Sequence, residues 1–266
     1  MVDISVNSHE GKDSENVFPG ENWFFYWKTS AALWESKINA QSTVGPIFVP
    51  LYWGFHTETG ETFDFGDHRP ESDLARLHKV VTGLGRELVF LLPLTGVPFQ
   101  PNGGLPSFLA RNPSQDQHGM THAFMDNEGQ VHKVHSFYDP RVYQAYRKYV
   151  WQLGQFLAQK NVSAETPGLR AQWIECLQAH SFLSDCSPAF NQGFVRFLKQ
   201  QKLPLKLDEH GQEVPGMPAH EEVNHAARYR KLIADLYLQT ASETLSGYWS
   251  GEQDYGFLGG QCRRYS

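Results

Sequence analysis

Cysteine is scarce. The 266 residues hold three, Cys176, Cys186 and Cys262, an odd number with no CxxC spacing. That speaks against a disulfide framework and against a zinc ribbon, and makes reduced thiols in a cytoplasmic protein the expectation. Basic charge is in the minority, 23 Lys and Arg against 29 Asp and Glu for a formal net charge of -6. No basic block interleaves with aromatics, so no nucleic-acid partner is expected. No apolar run approaches the roughly 20 residues that cross a bilayer, so no membrane partner is expected either. The start, "MVDISVNSHEGKDSEN", lacks the charged-then-apolar pattern of a leader. No GxGxxG or GxxxxGK[ST] follows an apolar run, which removes the usual phosphate-cradling turns. Glu58, Asp64, Asp67 and His68 are dense, but their spacing matches neither an EF-hand nor HExxH, and they read as a solvated acidic loop. Neither a cofactor nor a metal is expected.

Aromatic residues, by contrast, are plentiful, at 14% with 7 Trp, 11 Tyr and 18 Phe. Trp and Tyr supply core, and their flat apolar faces with a polar edge also suit stacking on sugar rings. Residues 1–22 are polar and read as a flexible arm, leaving 23–266 as a single domain. "WFFYWKTS" and "PIFVPLYWGFH" read as buried strands, as do "ELVFLLPL" and "GLRAQWIEC". Between them lie amphipathic stretches. Pro70 is placed in the first turn of a helix bearing Leu74, Leu77, Val80, Val81 and Leu84 and ending at Gly85. Asp139-Pro140 starts a second, with Val142, Tyr146, Tyr149, Val150, Leu153, Phe156 and Leu157 on one face. Ser187-Pro188 starts a third, with Phe190, Phe194, Phe197 and Leu198 in line. A fourth runs from about Glu221 to Thr244, with Ala226, Tyr229, Ile233, Leu236 and Thr240 on one side. The stretch 96–137 reads as a long irregular loop, 203–217 as turn-rich, and "LSGYWS" and "YGFLGG" as late strand candidates.

Apolar strands alternating with helices predict an α/β fold with a parallel sheet covered on both faces. An open doubly wound sheet and a (β/α)8 TIM-type barrel both satisfy that. Polar and aromatic residues cluster just after the strand ends, where a barrel carries its catalytic face, and this favours the barrel. About five or six βα units are countable against eight, so either strands after Leu203 escape the reading or the barrel is incomplete or degenerate.

The order of motifs resembles that of clan A glycoside hydrolases, and most of all the N-terminal half of a family 42 β-galactosidase-type barrel. The residues that carry the likeness are "GFHTETGETFDFGDHRPESDLARL", "LLPLTGVPFQPNGGLPSFLARNPSQ", "SFYDPRVYQAYRKYVWQLGQFLA" and "GLRAQWIEC" followed by "DCSPAFNQGFVRFLKQQ". They cover about Asn22 to Lys202. The resemblance implies a retaining β-glycosidase acting on an oligo- or polysaccharide, with Glu175 as general acid/base. It departs from the family in carrying Ile174 where the family has an Asn, and no seventh strand with a nucleophile is recognisable.

Retaining hydrolysis needs two carboxyl groups about 5–5.5 Å apart. Glu175 is the first candidate, against an ordinary charge at a strand end. Glu252, in "GYWSGEQDY", is the candidate for the second. Trp53, Phe99, Trp173 and Trp249 are candidate sugar platforms or pocket walls, against roles in the core. His56 is a candidate hydroxyl-binding residue, against packing, and Asn102 another, against a turn with Gly103 and Gly104. Asp185 reads as a helix-start residue. Two alternatives stand beside the glycosidase, a non-catalytic carbohydrate-binding protein on a degenerate barrel and a barrel part completed by another chain. A homo-oligomer is left open.

Overall fold

The protein is described by a computed structural model over residues 22–93, 100–125, 131–160, 162, 169–174 and 184–247. The strands among these are β1 (Ile47–Pro50), β2 (Leu88–Pro93), β3 (Ala123–Met125), β4 (Val131–Lys133), β5 (Leu169–Ile174), β6 (Leu205–Leu207) and β7 (Glu213–Pro215). The helices are α1 (Trp34–Asn39), the single turn α2 (Trp53–His56), α3 (Leu74–Gly83), α4 (Pro140–Gln159), α5 (Pro188–Gln200) and α6 (Ala219–Thr244). The arm expected at 1–22 lies outside the described residues except for Asn22.

The main sheet is parallel throughout, in the order β1-β2-β5. A fourth segment extends it on the outer side of β1. Trp23 bridges Phe48 in parallel sense, with the Phe24 N–H donating to the Phe48 carbonyl at 2.9 Å and the Phe48 N–H to that of Asn22 at 3.0 Å. Successive segments of the chain are therefore successive neighbours in the sheet. Each crossover carries a helix, as parallel pairing requires, namely α1, then α3, then α4.

Alternation along the strands sorts the side chains into two sets. Ile47, Val49, Leu88, Phe90 and Leu92 join the large core with Trp34 and Ile38 of α1, Leu77 and Val81 of α3, and Val150 and Leu153 of α4. Trp23, Val89 and Leu91, with Phe25 and Phe48, form a separate cluster on the opposite face. All three crossover helices thus cover the same face.

The helix signals act locally, as the sequence suggests. Asp139 caps α4, its carboxylate accepting from the Arg141 N–H at 2.9 Å. The seven residues expected on its inner face are the seven buried there. Ser187 caps α5 through the Phe190 N–H, and Phe190, Phe194, Phe197 and Leu198 are buried. Gly85 ends α3 with φ of 70°, its N–H bonded to the Thr82 carbonyl and that of Arg86 to Val81, a Schellman closure.

Several boundaries differ from the expectation. The first aromatic run gives only a bridge at Trp23 and then a 3-10 turn at Tyr26–Lys28. β1 stops at Pro50, and the residues expected to continue it become α2. Pro70 opens a 3-10 turn, and Asp73 rather than Pro70 starts α3 by accepting from the Arg76 N–H. The stretch expected to be irregular holds the antiparallel pair β3-β4, and the turn-rich one holds β6-β7. On α6 the inner residues are Ala226, Tyr229, Tyr237 and Ala241, while Leu236 is partly exposed. Of "LSGYWS", residues 245–247 form a turn, and the rest of it and "YGFLGG" lie outside the described residues.

One arginine ties the N-terminal units together. Arg86 donates to the carbonyls of Gly45 (2.8 Å), Thr43 (3.0 Å) and Ile38 (3.3 Å), and to the side chains of Gln41 (3.2 Å) and Asn22 (3.0 Å). Arg86→Met keeps the stem and deletes these charge-assisted bonds. We expect a loss of about 3 kcal/mol, read as a lower urea midpoint. An unchanged midpoint would contradict the clamp.

Candidate functional site

Parallel strands place their C-terminal ends along one edge. The segments that follow those ends are 26–28, then 51–56 after β1, then the turn beginning at Gln100 after β2. Residue 175 follows Ile174 at the end of β5, where Ile174 pairs with Pro93 and Trp173 with Leu92. Aromatic rings crowd this edge. Trp27 meets Tyr52 edge-on at 5.3 Å, and Trp53 stacks on Tyr149 of α4 at 5.6 Å.

Behind the edge lies a buried hydrogen-bond chain. The Asp64 carbonyl can only accept, so His56 Nδ1 donates to it at 2.9 Å. Nε2 is then the acceptor for the Tyr26 hydroxyl at 2.8 Å. That hydroxyl in turn accepts from the Tyr52 N–H at 3.1 Å. His56 is wholly buried, between the Tyr26 and Phe65 rings. Burial pulls its pKa down to about 4, against the opposing pull of the bond to Asp64, so the ring is neutral. Both ring nitrogens are occupied inside the fold, which is the packing role weighed for this residue.

In the acidic loop after α2, Glu58, Asp67 and His68 are exposed, as a solvated loop requires, while Asp64 is half-buried and organises the loop. Burial alone would raise its pKa. Hydrogen bonds from the His68 N–H, the Arg69 side chain and the Gly66 N–H outweigh that and hold it at about 2. Arg69 also bonds the Phe55 carbonyl and lies over the Phe55 ring at 4.5 Å. The loop therefore locks α2 in place.

Trp53 is buried, one face against Tyr149, with its indole N–H unpartnered. Asn102 is left-handed at φ of 52°, followed by Gly103 at 66° and Gly104 at 95°, and its backbone bonds the His135 ring. That is the turn role weighed for it. Trp173 belongs to β5. Glu175, Glu252, Phe99 and Trp249 lie outside the described residues. Asp185 stands at the start of α5 and is fully buried. Its carboxylate accepts from the Ser136 hydroxyl at 2.5 Å and the Ser187 N–H at 2.8 Å.

The sequence reading missed Gln100. It is wholly buried, and neither atom of its amide has a partner. A lone Gln in a Pro- and Gly-rich stretch carries no pattern that would have singled it out. A separate groove of about 540 Å³ opens among α4, α5 and α6, lined by Asp139, Tyr143, Arg196, Tyr229 and Leu236 among others. It takes no residue from β1, β2 or β5 and none of the predicted site residues. The strand-end edge, on whose segments Trp53, His56 and Asn102 lie, is therefore the candidate site rather than this groove.

Neither the protein-family models nor the curated proteins contain a match to this chain. Among the described residues no helix is long and apolar enough to cross a membrane.

Proposed function

We infer that the chain is a glycoside hydrolase of the retaining β-glycosidase type, built on a (β/α)8 TIM-type barrel and acting on an oligo- or polysaccharide in the cytoplasm. The sugar binds at the C-terminal edge of the parallel sheet. Glu175 is its general acid/base and Glu252 the candidate second carboxylate.

The observation that carries this reading is the winding of the sheet. A doubly wound sheet reverses its strand order and sets helices on both faces. Here four parallel segments follow one another in sequence order, and α1, α3 and α4 share one face. That is the winding by which a parallel sheet curls towards a barrel, and barrel enzymes act at the C-terminal strand ends. The aromatic side chains and unpartnered donors at this edge suit a ligand with apolar ring faces and many hydroxyls.

The non-catalytic reading is favoured by one observation, Ile174 at the end of β5 where the resembled family has an Asn. Turnover of 4-nitrophenyl β-galactoside, β-glucoside and β-xyloside separates the two. Release of nitrophenol well above the spontaneous rate is the expected result. Saturable sugar binding with no release would select the binding protein.

A further inference from the structure

The groove among α4, α5 and α6 takes no part in the glycosidase reading, and its walls suit an occupant of their own. Its volume of about 540 Å³ falls within the roughly 300–1,000 Å³ of small-molecule sites. Gln192, Gly193 and Arg196 of α5 line one wall, and Tyr229, Leu232 and Leu236 of α6 line another. Each set recurs at the three- and four-residue spacing of a single helix face. Leu232 is 51% exposed and Leu236 38%. Two large apolar side chains thus meet solvent on the wall of a concavity, where a ligand with an apolar body would cover them.

The charge on the lining is of one free sign. Asp139 and Arg196 are the two charged residues there. The Asp139 carboxylate is already engaged, accepting from the Asn112 side chain at 2.7 Å and from the Arg141 guanidinium at 2.6 Å. Arg196 is exposed and has no ion pair or hydrogen bond among the described residues. The Tyr229 hydroxyl reaches across to α5 and lies over Gly193, where a Cβ would overlap it. Arg196 stands one turn further along the same helix face. Burial raises the pKa of that hydroxyl and the Arg196 charge opposes the rise, so the two groups share one locality. A guanidinium and a phenol O–H thus stand together on the groove, with no acceptor given to either by the described residues.

We propose that this groove binds a small aromatic carboxylate, with its ring against Leu232, Leu236 and the aromatic lining and its carboxylate on Arg196 and the Tyr229 hydroxyl. A guanidinium offers two parallel N–H groups that match the two oxygens of a carboxylate. The phenol supplies a further donor. Tyr138, Phe197 and Tyr229 also line the groove, and ring against ring is favoured beyond the area that it buries. A second copy of the chain is a poorer occupant. A two-fold contact through this face would turn each Arg196 towards the other groove, whose one carboxylate is already taken. The site shares no residue with the strand-end edge and does not depend on the glycosidase reading.

The test uses 2-naphthylacetate and its neutral counterpart 2-naphthylacetamide, which share a ring and differ in charge. Calorimetric titration of the full chain measures both, in wild type, Arg196→Gln and Leu236→Ser. The two replaced side chains are exposed, and the melting temperature checks that each variant folds. The carboxylate is expected to bind wild type about tenfold or more tightly than the amide. Arg196→Gln should abolish that preference and leave the affinity for the amide unchanged, while Leu236→Ser should weaken both. Arg196→Glu, which should reverse the preference, serves if Arg196→Gln does not fold. No binding of the carboxylate, equal binding of the two compounds, or a preference that survives in Arg196→Gln would each overturn the proposal. So would sedimentation showing that wild type self-associates and Leu236→Ser does not, since a second copy would then cover the groove.

Discussion

Lowering the pH from 7 to 4 removes about 3 kcal/mol of stability through His56 alone. In the unfolded chain its imidazole titrates near pH 6.5. In the folded protein burial holds it at about 4. Between those two values the unfolded state binds the extra proton, so stability rises with pH across the interval. The contribution is complete above pH 6.5 and is lost as pH falls towards 4. The interval of 2.5 units corresponds to about 3 kcal/mol at roughly 1.4 kcal/mol per unit. Asp64 acts in the same direction at lower pH, its stabilisation being present above the ordinary Asp value and lost as pH falls through about 2. Urea unfolding at pH 7, 5.5 and 4 reads the effect. His56→Asn retains a donor for the Asp64 carbonyl but cannot titrate. It should be less stable at pH 7 and lose the slope between pH 6.5 and 4. An identical slope in the variant would show that another group is responsible.

Gly193→Ala is the second large effect, again about 3 kcal/mol. On an open helix surface the same change would stabilise by up to about 1 kcal/mol, since alanine is the better helix former. Here the sign reverses. A Cβ on Gly193 would overlap the Tyr229 hydroxyl and lie 2.9 Å from the Tyr229 Cζ. Tyr229 has little room to retreat, because Tyr138, Phe190, Phe194 and Phe197 surround its ring at centroid distances of 5.5 to 5.9 Å. Its desolvated hydroxyl is pushed up to about 12. Tyr229→Phe deletes the clashing oxygen but leaves Cζ, so the double variant should recover part of the loss. A coupling energy of about 1 kcal/mol or more in the double-mutant cycle is expected. A Gly193→Ala protein as stable as wild type would show that α5 and α6 separate more readily than their packing implies.

What could be read from the sequence was what depends on neighbours along the chain. Asp139-Pro140 and Ser187-Pro188 mark their helices because a cap is satisfied within three residues. The inner faces of α4 and α5 follow from spacing alone. The strand ends, by contrast, depend on partners. "PIFVPLYWGFH" is apolar throughout, and nothing in it announces that the chain turns helical at Trp53. The β3-β4 and β6-β7 pairs were hidden because three-residue strands leave no alternation to detect. His56 was ambiguous because its fate is set by Tyr26, thirty residues earlier, and by the Asp64 carbonyl. The solvated character of the acidic loop was legible, but the role of Asp64 within it was not, because the hydrogen bonds converging on it come largely from backbone N–H groups, which have no sequence signature. Gln100 shows the same limit, since enclosure without a partner is a property of three-dimensional surroundings.

The central claim, that Glu175 protonates a glycosidic leaving group at the sheet edge, is tested most directly by comparing leaving groups in Glu175→Gln. A general acid matters in proportion to how poorly the leaving group departs unaided. With 4-nitrophenyl β-galactoside the variant should lose about 10²-fold or more in kcat/KM. With 2,4-dinitrophenyl β-galactoside, whose phenolate needs little help, the first step should be nearly as fast as in wild type. Equal losses on both substrates, no loss on either, or a wild type that cleaves neither would contradict the account.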